Sequence, residues 1–193
     1  MQEDQDVIWY VTAENRKAAE NSPHLEIFRK KGIEVLLMSD RIDEWVMGYF
    51  TEFEGKKLRS IAKGDVDLGS GSDKKEDEKE EDTEKDPLLT RLSDALSDEV
   101  TEVRASQRLT ESASCLVLSE QELAMHMRRM LEQAGPTLPN SKPVLEVNLD
   151  HQLLKQIATI DSEEEFKDWA SLLFEQAVLA EGGQLEDPAG FVQ

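Results

Sequence analysis

The sequence predicts an α+β protein made of two small folding units that flank a strongly acidic segment. Three observations carry this. Residues 1–63 alternate strand and helix patterns, as a small parallel α/β unit does. Residues 73–86 hold 9 acidic and 4 basic side chains and no aliphatic or aromatic one, so they cannot bury enough apolar surface to offset the entropy of ordering. Residues 86–193 return to short apolar strands set between helices with apolar stripes. The chain therefore divides into 1–63, an acidic flexible linker over 64–85, and 86–193.

In the first unit, Val7-Ile8-Trp9-Tyr10-Val11-Thr12 is rich in β-branched and aromatic residues and reads as a strand. Ser22-Pro23 opens a helix, with Ser22 as N-cap and Pro23 at the first helical position. Lys30 and Lys31 suit its last turn and Gly32 ends it. The nearly continuous apolar run Ile33 to Met38 predicts a strand covered on both faces. Strand, helix and strand at this spacing make a parallel βαβ pair. Asp40 can cap the next helix, whose Ile42, Trp45, Val46, Tyr49, Phe50 and Phe53 recur at helical spacing as one apolar stripe. Leu58 to Ala62 is a third short strand after the turn at Glu54-Gly55.

In the second unit, Pro87 to Leu96 reads as a helix. Strands are expected at Val100–Ser106, Ser114–Leu118 and Val144–Val147. Ser119-x-x-Glu122 is a capping box. It opens a helix carrying Leu123, Met127, Met130, Leu131 and Ala134, ended by Gly135-Pro136. A Met stripe at helical spacing is a core stripe or an adaptable binding face. A further helix spans about 150–160, and the last long one about 162–181. From Trp169 to Ala180 its only polar residues are Ser171, Glu175 and Gln176. A helix apolar nearly all round needs cover nearly all round. A buried helix within one chain, or a bundle with a second chain, supplies that. Asp187-Pro188 starts one more helix.

The chain has 193 residues, with 42 Asp plus Glu against 22 Lys plus Arg, a net charge of −20. That argues against nucleic acid and anionic membranes as partners, because polyanions repel it. No apolar run approaches the roughly 20 residues that span a bilayer. The acidic N-terminus lacks the features of a signal peptide, so a cytoplasmic location is expected. The single Cys115, in an apolar strand, reads as a buried thiol. His24, His126 and His151 have no partners at metal-ligand spacing and read as solvated or capping. Asp65, Asp67, Asp73 and Glu76 fit a calcium-loop frame only loosely, since Ser70 stands where that loop needs Gly. No catalytic motif is present, and no Gly-x-Gly-x-x-Gly or Walker-type sequence offers a nucleotide site.

Two blocks carry a resemblance. Ser22-Pro23-His24-Leu25-Glu26 and Arg29 to Trp45, continued by Glu52-Phe53-Glu54-Gly55-Lys56, resemble the end of the middle domain of the heat-shock protein 90 chaperones, in their bacterial form. Val103-Arg104, Ser106, Arg108-Leu109, Leu145 to Asn148, Asp150-His151, Leu172 to Ala177 and Leu185 to Pro188 resemble the C-terminal dimerisation domain. The resemblance implies the later part of an ATP-dependent stress-response chaperone, with the middle-domain piece joined by the linker to a domain with a helical bundle. It implies unfolded or partly folded client proteins at Glu44, Trp45, Leu123, Met127, Met130 and Leu131. It implies a homodimer through Trp169, Leu172, Leu173, Phe174, Val178 and Leu179. ATP and Mg would belong to a domain outside this chain, making the chain itself no enzyme and without cofactor or metal. A dimerising scaffold without client binding is the alternative.

Overall fold

The computed structural model describes residues 5–66, 68, 86–120, 122–133, 135 and 142–192. Two sheets form, each with its own core. The first has the order β2-β1-β4-β3, from β1 (Val7–Thr12), β2 (Val35–Met38), β3 (Glu52–Phe53) and β4 (Lys56–Ser60). β1 runs parallel to β2, with Trp9 opposite Val35, and parallel to β4, with Val7 opposite Lys57. β3 pairs antiparallel with β4. The sequence predicted three strands; the fourth, two residues long, is too short to show periodicity.

Helices α1 (Arg16–Glu20) and α2 (Glu26–Lys31) connect β1 to β2, with a 3-10 turn at Pro23–Leu25 between them. α1 was not predicted. Its start is the side chain of Asn15, which accepts from the Ala18 N–H. Ser22 precedes the turn but makes no side-chain cap. Gly32 closes α2 with φ 66°, a left-handed conformation that glycine adopts without strain. The first core gathers Trp9, Val11, Leu25, Phe28 and Ile61, with Trp9 and Phe28 edge to face at 5.2 Å. Val66 and Leu68 pack against it, so the linker expected from residue 64 starts later than that. The rest of that segment, including Asp67, Asp73 and Glu76, lies outside the described residues.

The second sheet has the order β5-β7-β6, from β5 (Glu102–Ala105), β6 (Ser114–Val117) and β7 (Val144–Val147). β5 is parallel and β6 antiparallel to the central β7. Around it lie α4 (Pro87–Ala95), α5 (Met125–Gln133), α6 (Gln152–Ile157), α7 (Glu163–Ala180) and α8 (Pro188–Phe191). α4, α6, α7 and α8 are capped by Asp86, His151, Ser162 and Asp187. The core is formed by Leu92, Leu116, Leu145, Leu154, Ile157, Phe166 and Leu173, among others. Cys115 is buried, and burial holds its thiol pKa well up.

The long helix α7 is covered on one side. Phe166, Ala170, Leu173 and Ala177 form a row at spacings of 4, 3 and 4 and are buried. Trp169, Leu172 and Leu179 follow the adjacent row; the first two are half-buried and Leu179 is 46% exposed. Leu173 and Val178, expected at an interface with a second chain, belong instead to the core of this one.

Two further expectations, a strand covered on both faces and a helix reaching Phe53, are overturned. β2 is not covered on both faces: it is an edge strand, with Leu36 and Leu37 exposed. The stripe from Ile42 to Phe53 is exposed throughout, Tyr49 at 90%. α3 is only Asp43–Met47, and the residues it buries are Glu44 and Met47. Periodicity marks which side chains share a face; it does not say that this chain covers the face.

Candidate binding surface

Ile42, Trp45, Val46, Tyr49, Phe50 and Phe53, from α3, β3 and the turns beside them, are exposed apolar side chains, as are Leu36 and Leu37, consecutive residues of β2 that point to opposite sides of the sheet. Phe50 and Phe53 lie 6.2 Å apart between ring centroids. Apolar exposure on this scale marks an interaction surface. Trp45 is 46% exposed, so the structure places it where a partner can reach it.

Its neighbour Glu44 was expected beside it as a contact residue, but it is 6% exposed. The carboxylate turns inward. Thr12 Oγ1 donates to Oε2 at 2.5 Å, Lys63 Nζ to Oε1 at 2.7 Å, and the Ala124 backbone N–H to Oε1 at 3.1 Å. Burial raises its pKa, but the Lys63 charge and these hydrogen bonds outweigh that and hold it below the usual range. The same acid presses on Tyr10. Burial first, then Glu44 and Glu120, push that phenol to about 12.

On α5 the expected residues separate. Met130 is 38% exposed, Leu123 and Leu131 are half-buried, and Met127 is buried. The helix begins at Met125, later than the capping box implied. Glu122 does reach back to the Ser119 N–H, at 2.7 Å, but it closes a turn ahead of the helix. Ala134 lies outside the described residues.

Four polar clusters join the two sheets. Arg108, 3% exposed, meets Glu146 through Nε and Nη2 at 2.9 and 3.1 Å and donates to the Ile61 and Gly64 carbonyls at 2.7 and 2.9 Å. Arg104 joins Glu146 to Asp65. Glu26 receives the backbone N–H groups of Thr110, Glu111 and Ser112 and the Ser112 hydroxyl. Burial raises its pKa, and these bonds bring it below the usual value. His24, expected to be solvated, is fully buried, with Nε2 donating to Glu181 at 2.8 Å. The fourth cluster is Glu44 with Ala124. Backbone pairing of Ala62 and Gly64 with Leu118 adds to them.

None of these buried charges was legible as a site, because their partners lie 19 to 157 residues away. Between the end of β1 and helices α5 and α7 sits a cavity of about 280 Å³ lined by Thr12, Glu14, His126, Arg129 and Glu181, with Arg129 and Glu14 paired at 3.1 Å.

The Hsp90 protein family matches residues 1–193. "Chaperone protein HtpG" of Legionella pneumophila (strain Paris) is 51% identical over 192 residues, covering 100% of this chain and 31% of its own length. The protein of that name from Dechloromonas aromatica (strain RCB) is 54% identical over 195 residues, with 100% and 30% covered. That from Alkalilimnicola ehrlichii is 52% identical, also over 195 residues and with 100% and 30% covered. The chain thus spans about 30% of the length of these relatives.

The match corrects two expectations. The chain was read as no enzyme, and as free of ATP and Mg because these belonged to another domain. The family match runs over the entire chain, and neither it nor the relatives' names give a ground for excluding that chemistry from this stretch. The exclusion of ATPase activity, ATP and Mg is therefore withdrawn. Matched over its full length and more than half identical to all three of these chaperones, the chain belongs to the Hsp90 family.

Proposed function

We propose that this chain is the end of the middle domain and the C-terminal dimerisation domain of a cytoplasmic Hsp90-type chaperone, and that it presents a surface for partly folded proteins. The observation that carries this is the uncovered apolar face around Trp45 and Tyr49. A chain that bound only folded, polar partners would have no use for it. Unfolded segments expose apolar side chains in irregular order, and a broad aromatic face with a flexible methionine nearby accepts many such orders. Met130 on α5 supplies that second element. The division into a first α/β unit that takes in Val66 and Leu68, an acidic segment, and an α+β unit over 86–193 goes with this reading.

Homodimerisation is proposed through the open row of α7, Trp169, Leu172 and Leu179, together with Phe174. Pairing with the same helix of a second copy would supply the cover this chain lacks, as in a four-helix bundle. The dimerising scaffold without client binding is the competing reading. Suppression of aggregation of a heat-unfolded client separates the two: Trp45→Ala with Met130→Glu should lose protection while the dimer persists by light scattering. Equal protection by wild type and variant would leave the scaffold reading standing. A monomer at about 100 µM would remove the dimer.

A further inference from the structure

Helix α5 is capped from outside its own half of the chain. The Ala124 carbonyl accepts from the N–H groups of Met127 and Arg128, at 2.9 and 3.0 Å, so Ala124 is where the helical pattern begins. Its own N–H points out of the helix start, where no intrahelical acceptor exists. The local capping pair, Ser119 and Glu122, is spent one turn earlier. The acceptor is Glu44 Oε1, 80 residues distant in sequence.

Glu44 is held in turn by Lys63 and Thr12, which fix both carboxylate oxygens. Its side chain is 4% exposed, so it has no surface to offer a partner. Residues 44 and 45 point to opposite sides: the acid into the junction, the indole outward.

We propose that Glu44 is a positioning residue that sets the α3 face in register with α5, so that Trp45 and Met130 act on one extended apolar client segment; this rests on the client reading above. Two apolar patches in fixed register bind one segment as a bivalent surface, and the second contact forms at a high effective concentration. Without the Glu44 tie, α5 keeps its residues but loses its bearing on α3, and the patches bind independently. The inference gives Glu44 a role without client contact.

The test uses the full 193-residue chain labelled at Tyr49→Cys and Glu132→Cys, both exposed; Cys115 is buried and stays unlabelled. Samples are spin-diluted with unlabelled chain. Pulsed electron resonance then gives the distance distribution across the junction, and capture of an unfolded apolar client, measured on the unlabelled chain with Tyr49 and Glu132 intact, gives affinity. Glu44→Ala should broaden the distribution and weaken capture roughly tenfold or more. Glu44→Gln keeps an oxygen for Ala124 and should hold the distribution and stay within about threefold of wild-type capture. Ala124→Pro removes the donated N–H while leaving Glu44, Lys63 and Thr12 in place, at the cost of also restraining the backbone at 123 and 124, and should behave as Glu44→Ala does. In the wild-type background Trp45→Ala and Met130→Ala should be non-additive, and in the Glu44→Ala background additive.

A narrow distribution in Glu44→Ala, or a Glu44→Gln variant as weak as Glu44→Ala, overturns the inference in favour of direct contact. A broad distribution with undiminished capture overturns it too. If Trp45→Ala and Met130→Ala leave capture untouched in the wild type, the client reading fails and the inference falls with it. That outcome is recognisable because the distance measurement involves no client.

Discussion

The Arg108–Glu146 pair offers the sharpest test of how the two sheets are joined. Arg108→Ala removes a guanidinium that is 3% exposed and makes four hydrogen bonds: two to Glu146 and one each to the Ile61 and Gly64 carbonyls. Breaking a buried pair by deleting one partner costs about 3–5 kcal/mol. Glu146 retains Arg104 and the Ser106 hydroxyl, which argues for the lower end. The orphaned carbonyls argue the other way, at roughly 1–3 kcal/mol for each that stays dry. About 4 kcal/mol is the resulting expectation. With a urea slope of about 2 kcal/mol per molar, the midpoint falls by about 2 M. Trp9 lies in the first core and Trp169 packs on the second, so single-tryptophan versions report on each separately. In the wild type the two transitions should coincide. In Arg108→Ala the Trp9 transition should move to lower urea, because the lost carbonyl contacts belong to the first sheet. Arg108→Lys keeps the charge but not the planar fork and should lose about half as much. A loss under about 1 kcal/mol, or coincident transitions in Arg108→Ala, would refute the view that this guanidinium couples the cores.

Glu26 should make the junction acid-labile. Its folded pKa lies below its ordinary value of 4.5. The stabilisation is therefore present above 4.5 and lost as pH falls through the folded value; Glu26→Gln should flatten that part of a stability–pH curve measured by urea unfolding. His126 acts in the same sense at higher pH. Burial first lowers its pKa below 6.5 and Arg129 adds to this, while Glu44, Glu14 and Glu181 oppose it. Stability is complete above 6.5 and declines as pH falls below it, and thermal scans of His126→Gln should lack that decline. On α7, Leu173→Ala should cost about 2–5 kcal/mol of chain stability. Leu179→Glu should change stability by under about 0.5 kcal/mol yet weaken self-association in sedimentation.

What was readable in the sequence had local causes. The β-branched run at Val7 to Thr12, the left-handed Gly32, and the caps Ser162 and Asp187 each act within a few residues, and each element stands where the pattern placed it. Helix α1 escaped because Arg16 to Glu20 has no apolar periodicity; Asn15 was the one usable sign. The Ile42–Phe53 stripe was recognised as a face, but its exposure depends on what lies over it, which no spacing encodes. Trp45 was readable as part of that face. The inward turn of Glu44 was not, since Lys63, Thr12 and Ala124 converge on it only after both halves have folded. The resemblance led to the family, while the placement of Met127, Leu173 and Val178 inside rather than outside needed the fold.

The uncovered aromatic face around Tyr49 has a colloidal consequence. A molecule that keeps such a face open in concentrated solution needs some other barrier to sticking to its own kind. The net charge of −20 supplies one. Like-charged copies repel before their aromatic faces meet, while a partly unfolded chain of low charge approaches freely. Acidity thus sorts approaching molecules by charge. The barrier is also conditional. At about 1 M salt the screening length shrinks to roughly 3 Å, and the same open face then becomes a site of precipitation.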